Sequence, residues 1–298
     1  MKVIRENFYN YIIVLSLLAL VASTALKSEI LQVIALMGIF SFGILHGSND
    51  LFVLQHLKQN NQQNNFLKAL ISYLGVVLGF VAIFYFIPLV ALIAFVSISA
   101  YHFGEQHFHH QIKKQKSTLA SLFYFMYGIL VLFLLFCLNL VEVITIIEDM
   151  TGYTVPQPVF IYTLLTSSIL TLGLYIQLLR DNSSLKKSIV SNLLYLVLFS
   201  ALFSISSVIW GFATYFVLWH SLPSLKDQVN SLYGQFHWDN FIKYFKRAFP
   251  YWLASIIGMA LLVYLFKDSK NFLSLLFAFI AAITFPHVFV MRKLFDRN

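Results

Sequence analysis

The chain has 298 residues, of which 59% are hydrophobic and 11% charged, with a formal net charge of +8. Soluble globular domains carry about 25% charged residues, so an ordinary soluble enzyme is excluded. Apolar stretches of about 20 residues recur almost back to back, the pattern of a polytopic helical membrane protein. The single cysteine, Cys137, excludes an internal disulfide and a cysteine-based metal cluster. No apolar-poor stretch is long enough for a soluble domain, so residues 1–298 are expected to form one integral membrane domain, an all-α transmembrane bundle.

Lys2 and Arg5 precede an apolar run that ends near Ala25 and resembles a signal peptide. It is long enough to span and another run follows at once, so it reads as a retained first helix over 8–26. A second helix over 30–54 ends in the motif His46-Gly47-Ser48-Asn49-Asp50, and the Asn/Gln tract 59–65 reads as a solvated loop. A third helix covers 66–87. Pro88 marks a tight turn into a fourth, which closes on Tyr101-His102-Phe103-Gly104-Glu105-Gln106-His107. The fifth covers 118–140; a loop carrying Glu142, Glu148, Asp149, Pro156 and Pro158 leads to the sixth over 159–179. The next apolar run, of about 40 residues, is too long for one span and divides near 204–207 into helices seven and eight. Segment 226–248 carries Phe241, Tyr244 and Phe245 with Lys243, Lys246 and Arg247, the composition of an amphipathic helix on a membrane surface. Helices nine and ten cover 251–266 and 272–291.

Lysine and arginine concentrate on the cytoplasmic side of membrane proteins. With the N-terminus inside, ten spans put seventeen of the twenty basic residues in cytoplasmic segments and leave only Lys27, Lys267 and Lys270 outside, beside the acidic Glu142, Glu148 and Asp149. The expectation is about ten spans with both ends inside; eight is the alternative if the first or seventh helix is re-entrant. The positive charge then serves orientation and the anionic inner leaflet, and no nucleic-acid partner is implied.

His46, His102, His220 and His287 fall on helices two, four, eight and ten, each near the cytoplasmic end. A lone histidine there is usually interfacial or hydrogen-bonded. Four at one depth, three with polar neighbours on the same helical face, favour a shared site, because ionisable groups at membrane depth mark function by default. Asp50 is i+4 from His46, so it could orient that imidazole or a neighbouring one; Glu105 and Gln106 are i+3 and i+4 from His102, and Ser224 is i+4 from His220. Neutral imidazoles suit iron, copper, zinc or nickel. His56, His109, His110 and His237 read as solvated loop residues, and His107 as either a member of the cluster or a marker of the membrane surface. Gly47 and Gly104 either admit a ligand or serve ordinary helix packing.

In this order, His46-Gly47-Ser48-Asn49-Asp50 (family His-Gly-x-x-Asp), Tyr101-His102-Phe103-Gly104-Glu105, Trp219-His220-Ser221-Leu222 and Pro286-His287 resemble the bacteriorhodopsin-related protein (Brp/Blh) family of membrane β-carotene 15,15′-dioxygenases. The resemblance implies a multi-pass protein of the cell inner membrane. It implies a non-haem Fe(II) enzyme that uses O₂ to split β-carotene into two molecules of all-trans-retinal, in functional partnership with a retinal-binding rhodopsin. The family's iron ligands map to His46, His102 and His220. Its further histidine, four residues after the third, falls at Ser224, a poor iron ligand, and His107 stands where the family often has an acidic residue. Three forms of the site follow: three histidines alone, a fourth ligand supplied by His107 or His287, or a diverged member acting on another apolar polyene. Under the same resemblance Asp50 and Glu105 are hydrogen-bond partners behind the ligands, and His287, where it is not a ligand, orients one of them or the bound oxygen.

Two other classes compete. A histidine-box di-iron oxidase shares a superficial likeness in His102-x-x-x-x-His107 followed by His109-His110, but that class needs about eight clustered histidines, and two irons in place of one. A carotenoid-binding or transport protein would retain its pigment without metal. Every lysine lies at or beyond a helix end, so an opsin, which needs a mid-span lysine, is excluded.

Overall fold

The computed structural model describes residues 2–57, 65–113, 117–266 and 272–296. All but the last residue of the tract 59–65 lies outside these, as do Lys58, Lys114, Lys116, Lys267, Lys270 and Arg297. The described residues form helices and no strands. In order these are α1 (Lys2–Ala25), α2 (Ser28–Gly38), a π-helical segment π1 (Ile39–Gly43), α3 (Asp50–Leu57), α4 (Asn65–Phe86), α5 (Pro88–Phe108), α6 (Thr118–Leu138) and α7 (Leu140–Thr151). There follow α8 (Gln157–Leu179), α9 (Ser183–Lys187), α10 (Ile189–Ile205), α11 (Val208–Thr214), a second π-helical segment π2 (Tyr215–Ser221), α12 (Leu222–Tyr233), α13 (Trp238–Phe266) and α14 (Phe272–Phe295).

Among the described residues seven helices are long and apolar enough to cross a membrane, and Ser28–Gly43 and Ile189–Ile205 are shorter apolar helices. Large apolar side chains stand outward along the spans: Leu18 is 59% exposed, Leu78 67% and Ile169 71%. A soluble protein buries such surface; a helical membrane protein turns it to lipid.

Three predicted elements take a different form. The second helix is interrupted, running through α2 and π1 into a turn at 46–49 before α3 resumes. The acidic loop at 142–158 begins with α7, whose apolar positions bury Val143 and Met150. Segment 226–248 is α12 and the first turns of α13, and α13 then continues into the ninth predicted span. The predicted division near 204–207 falls where Ser206 is extended (φ −110°, ψ 155°). There Ser207 Oγ accepts from Trp210 N at 3.4 Å and Glu142 Oε2 accepts from Val208 N at 3.0 Å, satisfying two of the four free N–H groups that start α11.

The chain forms two compact units, each discontinuous in sequence. The first comprises Met1–Gly43, Ala100–Val143 and Pro156–Pro223. In it α6 packs on α8 and α10, α1 on α10 and π2, α2 on α11, and π1 on π2. The second half of α5 meets α6 at two glycines. A Cβ at Gly104 would strike the backbone of Tyr124, and one at Gly128 the backbone of Ala100. The aromatic core packs Phe199 edge to face against Trp219 and Tyr215. An apolar cavity of about 320 Å³ lies among α1, α2, α11 and π2, lined in part by Leu15, Ala19, Gly38 and Val217. The second unit comprises Ile44–Ser99, Ile144–Val155 and Ser224–Asn298. In it α14 packs on α4, α3 and α13, and its cores gather Phe80, Phe84 and Ala281, then Val53, Val290 and Leu294, then Leu45, Val229 and Tyr244.

Candidate functional site

In each unit two buried histidines meet ring to ring. In the first unit the pair is His102 with His220, ring centroids 4.7 Å apart and nearly perpendicular. His102 is held on α5 where the two glycine contacts bring α5 and α6 to backbone distance. His220 lies on π2, where the extra residue of the wider turn shows as bonds reaching back five positions: Leu222 N to Val217 O, and Ser221 Oγ to Phe216 O at 2.9 Å. Single π-turns inside α-helices recur at functional sites because they re-aim a side chain without ending the helix. Phe216 stacks on the His220 ring at 5.5 Å and Phe103 lies at 4.7 Å, so the imidazole has a fixed plane. Tyr101 OH donates to Glu105 Oε1 at 3.0 Å.

In the second unit the pair is His46 with His287, 4.5 Å between centroids and again perpendicular. Pro286 precedes His287 inside α14 and lacks the N–H that would bond back to the Ala282 carbonyl. His287 Nδ1 lies 2.8 Å from Asp50 Oδ1, and Tyr73 OH donates to Asp50 Oδ2 at 3.2 Å. A carboxylate only accepts, so an Asp50 that is ionised would call for the Nδ1–H tautomer of His287. Asp50, four residues from His46 in sequence, thus serves the neighbouring imidazole. Ser224, fully buried, donates to Met291 Sδ at 3.7 Å and accepts from Gln228 Nε2 at 3.3 Å.

All four rings are buried, His102 completely. Buried imidazoles are neutral-donor ligands suited to first-row transition metals such as iron, and an orienting carboxylate behind a histidine is the usual companion of metal-ligating rings. The ring nitrogens of each pair suit a transition metal of this kind, iron included.

The remaining histidines sort differently. His107 is enclosed by Tyr127, Tyr195 and Trp219, with its ring parallel to the indole. His109 was expected in solvent but is 2% exposed, because the last turn of α5 turns it inward with its N–H on the Glu105 carbonyl. His56 is half-buried on α3, whereas His110 and His237 are exposed. Gly104 is a packing glycine. At Gly47 a Cβ would meet His287 Nδ1 at 3.7 Å, ordinary contact. Tyr73, Gln228 and Tyr244 were not found from sequence: Tyr73 is one tyrosine among many in apolar helices, and Gln228 and Tyr244 lie in segments whose other polar residues give no reason to single them out.

No curated protein and no solved structure matches the chain significantly. The family described as Beta-carotene 15,15'-dioxygenase matches residues 37–295, a span that holds His46, His102, His220, His287, Asp50, Glu105 and Ser224. The chain therefore belongs to the β-carotene 15,15′-dioxygenase family.

Proposed function

We propose that the chain cleaves β-carotene with an Fe(II) ion held by His46, His102 and His220. Family membership supplies the activity, and the two pairs of buried imidazoles carry the assignment of the metal. The reaction breaks the central C15=C15′ bond and places one oxygen atom of O₂ on each carbon. Two molecules of all-trans-retinal result and no external reductant is consumed. When bound, Fe(II) supplies the redox chemistry that ground-state O₂ needs to react with a closed-shell polyene.

The chain's own residues do the rest. Phe103 and Phe216 hold the plane of His220 and exclude water from it. Asp50 and Tyr73 hold the proton of His287 on Nδ1 and direct Nε2 away from the carboxylate, so that His287 serves as a fourth donor or orients the reacting groups. Tyr101 fixes the rotamer of Glu105, a hydrogen-bond partner behind His102. Ser224, at the position of the family's further histidine, takes part through its hydroxyl bonds. Holding a long apolar substrate at one position along its length selects which double bond reacts.

The proposed setting is a single membrane domain of ten spans in the cell inner membrane, both termini cytoplasmic, with the bilayer as the source of carotene and a retinal-binding rhodopsin as the consumer of product. The test is expression in a bacterium that accumulates β-carotene, beside a His102→Ala control. Retinal with the wild type and none with the control is the expected result. Intact carotene with both, at matched expression, overturns β-carotene cleavage and leaves another apolar polyene or a metal-free binding role.

A further inference from the structure

The turn that carries His46 leaves the backbone ladder. In a continuous α-helix the His46 carbonyl would accept from the Asp50 N–H. Here Asp50 N donates to the Gly47 carbonyl at 3.2 Å, and Ser48 N to Leu45 at 3.1 Å. Inside a buried segment a backbone carbonyl needs a donor. Gln228 on α12 supplies it: Nε2 lies 2.6 Å from His46 O.

Tyr244 on α13 decides which way that amide faces. Its hydroxyl lies 2.9 Å from Gln228 Oε1, 3.3 Å from His46 O and 3.4 Å from Leu45 O. A phenol has one proton to donate, and the shortest contact assigns it to Gln228 Oε1. With its oxygen so engaged, the amide turns its two N–H groups to His46 O and to Ser224 Oγ. Asn49 Nδ2, from the same turn as His46, donates to the Tyr244 carbonyl at 3.0 Å and closes the ring of bonds. Gln228 and Tyr244 are both fully buried.

We infer that Gln228 and Tyr244 are positioning residues for the reaction: together they clamp the backbone of the His46 turn and so fix the direction of its imidazole. The inference rests on the reading of His46 as a metal ligand. Ser224 belongs to the clamp. Its hydroxyl accepts from Gln228 and donates to Met291 Sδ, so the position that holds a histidine in the family here serves the support of another ligand.

The test uses the full chain in lipid nanodiscs, with Co(II) as a spectroscopic probe under anaerobic titration. Tyr244→Phe deletes one buried oxygen, and Gln228→Met keeps the volume but removes both amide groups. Each is expected to weaken Co(II) binding about tenfold, in line with the loss of groups that orient metal ligands. Each should also shift the Co(II) d–d absorption and lower kcat with KM for β-carotene unchanged. Val229→Ala, in the same core cluster, is the structural control: it should lower Tm and leave Co(II) affinity and spectrum as in the wild type. If Gln228→Met does not fold, Tyr244→Phe carries the test alone. Wild-type affinity and spectrum in the folded variants overturn the clamp while leaving the metal reading intact. Equal Co(II) binding by the wild type and His46→Ala overturns the metal reading, and the clamp with it.

Discussion

Asp50 shows how little spacing along the chain says about the partner of a buried carboxylate. Four residues from His46, it instead meets His287, 237 positions away. Replacing it by asparagine removes the negative charge and turns one of its two accepting oxygens into an N–H donor, and losses of this kind cost about 10- to 100-fold in metal affinity or turnover. Iron content and kcat of Asp50→Asn, measured together, check this. The two motif glycines part company in the same way. A Cβ at Gly104 meets the backbone of Tyr124, which cannot rotate aside. Gly104→Ala should cost about 3 kcal/mol by forcing α5 from α6, read as a lowered Tm and a loss of folded protein. Gly47→Ala makes only ordinary contacts and should change Tm little; an equal loss in both variants would contradict the packing account.

The π-segments are the informative elements. π2 inserts one residue into the helix that runs from α11 into α12 and thereby sets where His220 points. An α-helix turns about 100° per residue. Deleting Val217, between Phe216 and His220, should therefore restore α-helical winding and swing the imidazole away from Phe216 and Phe103. The expected outcome is retained helical circular dichroism with carotene cleavage abolished; retained cleavage would deny π2 its role. At the other end of α11, Ser207→Ala removes a side-chain cap and should lower stability by about 1 kcal/mol, visible as a small fall in Tm with catalysis at low temperature unchanged.

For the whole molecule, the ten-span reading places both termini in the cytoplasm. A C-terminal green fluorescent protein fusion, which matures in the cytoplasm and not after Sec export, should fluoresce. A dark fusion at normal expression would require an odd number of spans. Iron analysis of the purified chain should give one metal per chain; two would favour the di-iron class.

Helical class and membrane character were legible in the sequence, as was the placing of four histidines within apolar runs, because hydropathy and charge act locally and need no partner. The division near 204–207 was legible for the same reason: about 40 apolar residues cannot form one span, and two adjacent serines can end a helix and cap the next. What depended on tertiary structure was every choice of partner. The turn after π1 at His46, the pairing of His46 with His287 and of His102 with His220, the inward turn of His109 and the amide of Gln228 beneath His46 all arise from contacts between residues far apart in the chain. Hydropathy marks that a polar group is buried. Which donor satisfies it is decided only by the packing that brings a second helix to within hydrogen-bond reach.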